Sequence, residues 1–345
     1  MWPFSKQENR ASYTEAAIQY ILTQAADGVT QADVRATSAA QTAAGLIARS
    51  LSIAVPSPSL AVMALSAPVL YDVGRAFVLD GEAVYLIAVL GGRMTLVRAS
   101  DWDIRDAGPV WRYRLTLPGA TATRTVDVPG EAVFHPRVNV SREQPARGHA
   151  MIRAASYTAR LLAALEVTLG NEAEAPSGNV LPAPLDTLGD EVAELKNDLR
   201  GLKGRTALVP SMADKWGEGR AGAPARDWQQ QRIGGNPPDV LRALWLEAEA
   251  SVLASAGIPP TLFSTRGEAT GAREALRQFL HSTLQPLGDL IAAEATAKFG
   301  APVSLSFDRL FAADIQGRAR AFQSLVAGGM AIAEAAAASG ILQED

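Results

Sequence analysis

Between Val73 and His135 apolar residues recur at every second position, whereas on both sides of that block they recur at every third and fourth. A period of two suits strands buried on one face, and a spacing of three and four suits helices. Strands gathered into one block, with helices before and after, predict an α+β chain that is mainly α-helical. Within the block, "RAFVLDGEAVYLIAVLGGRMTLVRA" reads as three strands joined at Asp80-Gly81 and Gly91-Gly92, both strong tight-turn signals. "VWRYRLTLPGATATRTVDVPGEAVFH" reads as further strands turning at Pro118-Gly119 and Pro129-Gly130. Arg112 and Arg114 alternate there with Val110, Trp111, Tyr113 and Leu115, which predicts a sheet with one wet face.

The flanking segments read as helices. Ile18, Ile21, Leu22 and Ala25 give residues 13–26 a helical stripe that stops at Asp27-Gly28. A second, Ala-rich helix is expected over residues 31–51, carrying Val34, Leu46 and Ile47. Helix returns over 145–169, with Met151, Ala155, Thr158, Leu162, Leu165 and Leu169 on one face. A short helix over 185–202 and a strand "RTALVP" follow, then a helix over 238–256 whose start carries Pro238 and Asp239, a favourable N-terminal pair. That helix dies at Gly257, and Pro259 and Pro260 prevent its continuation. After a loop, a long helix over 271–299 contains Pro286, which removes a hydrogen bond and predicts a kink. "VSLSF" (303–307) alternates as a strand, and two last helices part at Gly328-Gly329.

Hydrophobic residues make up 48 % of the 345, much of it Ala, so close helix-on-helix packing is expected. The formal charge of −4 excludes a chain that is basic throughout and binds nucleic acid for that reason. With no cysteine, disulfides, thiolate catalysis and cysteine–zinc sites are excluded. "MWPFSKQENR" lacks the apolar core of a signal peptide. Leu51–Leu70 has the length of a membrane span, but Pro56, Pro58 and Pro68 interrupt it, so a buried loop with a short strand is expected and the chain reads as soluble and intracellular. Charge segregates late in the chain: Glu166 to Asp198 holds eight acids and one lysine, and Arg200 to Arg232 holds seven bases and three acids. Such runs are ordinarily solvated surface, and the alternative is a docking surface.

No catalytic constellation emerges. The three histidines, His135, His149 and His281, stand apart, and no HExxH, GxSxG, Walker A or GxGxxG pattern is present. Asp101 and Asp103 flank Trp102, and two acids are too few oxygen ligands for a hard cation. His135 precedes Pro136, where a backbone or turn hydrogen bond is expected, and Glu166 and Glu294 read as isolated on their helices. No enzyme, metal or cofactor is implied.

Five stretches in order resemble the portal (connector) proteins of tailed bacteriophages and gene transfer agents. They are "VFHPRVN" followed by "GHAMIRAASYTARLLAALE"; "SGNVLP", "LKNDL" and "GRTALVP"; "LASAGIPPTLF"; "LHSTLQPLGDLIAAEATAKF" with an acid at Glu294; and "SLSFDRLFAADIQGRARAFQSLVAGGMAIAEAAAASGI". The resemblance spans about residues 30–343, with an Ala-rich N-terminal third and a short overall length as departures.

The resemblance implies a portal fold with wing, stem, clip and crown regions, assembled as a homo-oligomeric ring of about twelve subunits around a channel. Residues 1–144 would form the N-terminal part of the wing, 145–170 and 238–257 the two stem helices, and 171–237 the clip. Residues 258–270 would be the tunnel loop, 271–311 the kinked tunnel helix and its return to the wing, and 312–345 the crown. The expected site residues are the helix break at Gly257, Pro259 and Pro260, the kink at Pro286, and the tunnel-loop residues Phe263, Ser264, Thr265, Arg266 and Glu268. The clip would dock partners through Asp186, Asp190, Glu191, Glu194, Arg200, Lys203 and Arg205. The implied partners are double-stranded DNA held non-specifically, the terminase packaging motor, the head-tail adaptor and the major capsid protein, with no membrane. The implied location is the portal vertex of a virion or phage-like particle assembled in a bacterial cytoplasm. A soluble enzyme with an unrecognised site, at Asp101–Asp103 or in 211–232, and a membrane-associated scaffold resting on 51–70 are the competing classes.

Overall fold

The computed structural model describes residues 29–58, 63–106, 111–119, 122–174, 179–183, 206–210, 231–232, 237–263, 269–311 and 315–339. The expected helices over 13–26 and 185–202 lie outside the described residues. The chain divides into two compact units, one of Met1–Thr37 with Tyr157–Ala250 and a larger one of Ser38–Ser156 with Ser251–Asp345.

The larger unit begins with helix α2 (Ser38–Ser52), strand β1 (Val55–Ser57) and helix α3 (Ala67–Leu79). The single helix expected over 31–51 is two: α1 (Gln31–Ala36) ends at Thr37, whose ψ of 148° is not helical. The Thr37 hydroxyl donates to the Val34 carbonyl at 2.8 Å, a local bond that competes with continuing the helix. A second correction concerns "RAFVL", expected as a strand but forming the last turns of α3. Pro68 starts that helix, where its missing N–H costs nothing. Leu70, Val73, Gly74, Phe77 and Val78 are then buried at helical spacing. Helix packing overrides their β preference: a Cβ added to Gly74 would stand 2.8 Å from the Ala48 Cα, so the α2 and α3 backbones approach as only small residues allow. The described residues of 51–70 include the end of α2, strand β1 and the start of α3. Among the described residues no helix is long and apolar enough to cross a membrane.

The period-two block forms two antiparallel sheets. One has the order β3-β2-β7, from β2 (Tyr85–Leu90), β3 (Arg93–Arg98) and β7 (Val133–Phe134). The other has the order β4-β5-β6, from β4 (Asp101–Asp106), β5 (Arg112–Leu117) and β6 (Arg124–Pro129). The β2–β3 hairpin turns at Gly91-Gly92, with φ of 58° and 75°, as an Xaa-Gly signal between apolar runs predicts. Tyr113, Leu115 and Leu117 of β5 face inward with Val84, Ala99 and Val133, whereas Arg112 faces out. The wet face expected of this sheet is therefore present.

After a 3₁₀ turn (Met151–Ala155), helix α4 runs over Ser156–Glu174, starting later than expected. Helix α5 spans Pro237–Ser255. The smaller unit also holds strand β8 (Asn179–Ala183), parallel to β9 (Thr206–Pro210) and antiparallel to β10 (Gln231–Arg232). The larger unit is completed by helices α6 (Ala269–Phe279) and α7 (Gln285–Phe299), strand β11 (Ser304–Ser306), and helices α8 (Asp308–Phe311), α9 (Ile315–Ala327) and α10 (Ile332–Ala338). β11 pairs with β1, matching Leu305 to Pro56. Gly288 of α7 lets the Phe307 ring lie against the helix, where an added Cβ would come within 2.7 Å.

Candidate functional site

Two arrangements in the larger unit carry the residues singled out by sequence. The first is the break after α5. The Gly257 N–H donates to the Ala254 carbonyl at 2.9 Å, and the Ile258 N–H reaches back to the Leu253 carbonyl at 3.1 Å. Gly257 itself has φ of +74°. This is the Schellman arrangement, in which a left-handed residue satisfies the last carbonyls of a helix. Leu253 and Ile258, the pair that closes such a cap, are both buried. Pro260 opens a 3₁₀ turn that ends at Phe263, whose side chain is 46 % exposed. Ser264, Thr265, Arg266 and Glu268 lie outside the described residues, as do Asp186, Asp190, Glu191, Glu194, Arg200, Lys203 and Arg205.

Opposite the break lies the junction between α6 and α7. The helix does not simply bend at Pro286: residues Leu280–Leu284 form a π-turn, and the Gln285 N–H donates to the Leu280 carbonyl five residues back. Pro286 then occupies the first turn of α7. An α-helical path would press the proline ring against the carbonyl four residues earlier, that of Ser282. The wider turn avoids that clash. Thr283 sits in the π-turn, 5 % exposed, and donates its hydroxyl to the Gly257 carbonyl at 2.6 Å. A Cβ on Gly257 would stand 2.5 Å from the Thr283 Oγ1. Glycine is thus required here by its backbone angle and by the neighbouring side chain.

The second arrangement surrounds His135, which is 2 % exposed at the end of β7. Its Nε2 faces Glu82 Oε2 at 3.2 Å and its Nδ1 faces the Tyr113 hydroxyl at 3.1 Å. An ionised carboxylate only accepts, so the network assigns the proton to Nε2 and leaves Nδ1 to accept from Tyr113. Burial, partly offset by Glu82, pushes the imidazole down to about 4. Burial pushes the Tyr113 phenol up to about 12. Burial would raise the Glu82 carboxyl too, but the bonds from His135 and from the Gly148 N–H (2.7 Å), with the charge of Arg147, outweigh it and lower it. Arg147 also lies over the Trp102 ring at 3.7 Å from its centroid, a cation–π contact.

Glu294 is not isolated, in correction of the sequence reading. From α7 its Oε1 accepts the His135 N–H at 3.3 Å and stands 3.9 Å from Lys298, which donates to the Gly130 carbonyl at 2.6 Å. Tyr113, Glu294, Lys298, Trp111 and Arg137 line an open cleft of about 380 Å³ beside this network. His135 therefore does more than the turn bond expected of it: it ties both sheets to α7. Sequence reasoning missed Glu82, Tyr113 and Thr283, whose partners lie between 22 and 66 residues away and share no local motif with them. Asp101 and Asp103 each accept the N–H of the next residue at 2.9 Å. Among the described residues no group of three or more His, Asp or Glu could hold a metal ion. Glu166 of α4 is not alone either: with burial as the larger cause, its charge helps raise the Glu249 carboxyl on α5.

No protein-family model matches the sequence, and no curated protein is significantly similar to it. Solved structures do share its fold. A chain from the neck of a native gene transfer agent particle computed with C12 symmetry is 18 % identical, with a TM-score of 0.58 over 87 % of this chain and 89 % of that one. A chain from the virion of a native gene transfer agent particle is 18 % identical, with a TM-score of 0.59 over 91 % and 94 %. An HK97-family phage portal protein from Corynebacterium diphtheriae is 13 % identical, with a TM-score of 0.51 over 82 % and 97 %. At these identities the likeness is one of fold, and it extends over most of the chain: this protein has the fold of phage portal proteins.

Proposed function

We propose that the chain is a portal subunit, a structural and non-catalytic component of a phage-type or gene-transfer-agent particle. About twelve copies would form a ring at one capsid vertex, conducting double-stranded DNA and docking the packaging motor and then the head-tail adaptor. The observation that carries this reading is the likeness, over 87 % of the chain, to a chain in a particle neck computed with C12 symmetry. In this reading α4 and α5 are the stem and 171–237 the clip. The break at Gly257, Pro259 and Pro260 redirects the chain toward the channel, and residues 258–270 are the tunnel loop. The two sheets with β11 form the wing, and α9 with α10 the crown. A net charge of −4 suits a conduit, since a channel that neutralised many phosphates would hold DNA rather than pass it.

Solution mass tests the reading directly. Light scattering on the purified chain is expected to give about twelve times the 36.3 kDa subunit mass, with a central hole in particle images. A monomer to tetramer at all concentrations would overturn it.

A further inference from the structure

We infer that Pro286, through the π-turn it imposes, fixes the end of helix α5, so that the α5 terminus and the α6–α7 helix act as one mechanical joint. This inference concerns the fold of the subunit and stands whether or not the subunit forms a ring.

Buried positions recur every three or four residues through α6, the π-turn and α7, with Phe279, Leu280, Thr283, Leu284 and Leu287 among them. The π-turn holds an extra residue and takes up roughly one residue's rotation, about 100°. Its position is set by Pro286, which has no N–H to give and whose ring excludes the α-helical path. The residue the turn presents to α5 is Thr283. Its neighbour Ser282 bonds back along the helix, its hydroxyl donating to the Gln278 carbonyl at 2.6 Å. Thr283 instead donates across to the Gly257 carbonyl at 2.6 Å, the one residue of the cap held in the left-handed region.

The contact is close as well as polar. An added Cβ at Gly257 would meet Thr283 Cγ2 at 2.9 Å and Oγ1 at 2.5 Å. There is no slack in which α6 could turn about its axis while the cap stayed put. Displacement of α6 is therefore passed to the cap at Gly257, and the reverse. Pro286 acts as a positioning residue, working through the phase of Thr283, which makes the bond to Gly257.

Hydrogen exchange of the full chain at the Gly257 and Ile258 amides, which close the cap, reads this directly. Thr283→Val removes the hydroxyl and keeps the shape. It is expected to speed exchange at both amides about two- to tenfold, the range of one ordinary hydrogen bond. Thr283→Ser is expected to restore protection. Pro286→Ala permits an α-turn and is expected to speed the same two amides to a similar degree. The double variant Thr283→Val/Pro286→Ala is expected to be no faster than the faster single one. Unchanged exchange in Pro286→Ala, or effects that multiply in the double variant, would overturn the inference. Pro286→Ala removes a helix breaker, so it tests the relay even if Thr283→Val folds poorly.

Discussion

The hydroxyl of Thr283 and the carbonyl of Gly257 meet at 2.6 Å, joining the cap of one helix to the widened turn of another across 26 residues of sequence. Loop chemistry alone explains the Gly-Ile-Pro-Pro turn as a stop signal. The bond to Thr283 explains why the stop is held at one angle.

Gly257→Ala tests the double demand on that glycine. The new Cβ meets a positive φ and the Thr283 side chain together. A loss of about 1–3 kcal/mol is expected from backbone strain alone. The urea midpoint of the full chain measures it. Gly300, whose φ is also positive but whose Cβ would meet nothing, serves as the control and is expected to lose less on the same change.

Gly74→Val tests the α2–α3 contact. The side chain would begin 2.8 Å from the Ala48 Cα, which is backbone and cannot rotate away. Overpacking of this kind costs about 1–3 kcal/mol. A lowered thermal midpoint is expected, with Gly74→Ala milder than Gly74→Val; an unchanged midpoint would mean that the two helices can separate freely.

His135 predicts a pH dependence with a definite sign. Its folded value of about 4 lies below its ordinary 6.5. Between those values the unfolded chain binds a proton that the folded chain does not, so stability falls as pH drops through that window. Below about 4 this group adds no further loss, and Glu82, lowered in the fold, contributes its own below 4.5. The slope for one proton is about 1.4 kcal/mol per pH unit. Denaturant titrations at pH 7, 6 and 5 measure it, and His135→Asn is expected to flatten the decline.

Glu294 separates an acceptor from a charge. Glu294→Gln keeps an oxygen for the His135 N–H, whereas Glu294→Ala leaves that buried amide unpaired. The alanine change is expected to cost about 1–3 kcal/mol and the glutamine change less. Thermal melts of the two variants side by side decide it.

For the proposed function, Arg266→Ala is expected to alter packaging or retention of DNA in particles while ring assembly stays intact. Loss of the ring in this variant would remove residues 258–270 from the tunnel role. Packaging assays paired with particle imaging report both outcomes.

Much of the fold is legible in local pattern. The switch of period located the sheets, Gly91-Gly92 the hairpin, Gly257 and Pro259 the end of α5, and Gly328-Gly329 the last break, because each is set by the conformational limits of the residues themselves. The order of weak motifs pointed to the portal fold for a related reason, since it follows the order of elements rather than any one residue. What tertiary structure decided lies in contacts between distant segments. "RAFVL" carries strand-forming residues but became helix because Gly74 lets α3 press on Ala48. Pro286 predicted an irregularity, but only the folded chain gives it the form of a π-turn over Leu280–Leu284, in which Thr283 reaches the Gly257 carbonyl. Glu294 looked solitary on its helix, and its partner His135 stands 159 residues away. Residue types constrain the backbone near themselves; which buried polar group satisfies which other is fixed only when packing brings them within bonding distance.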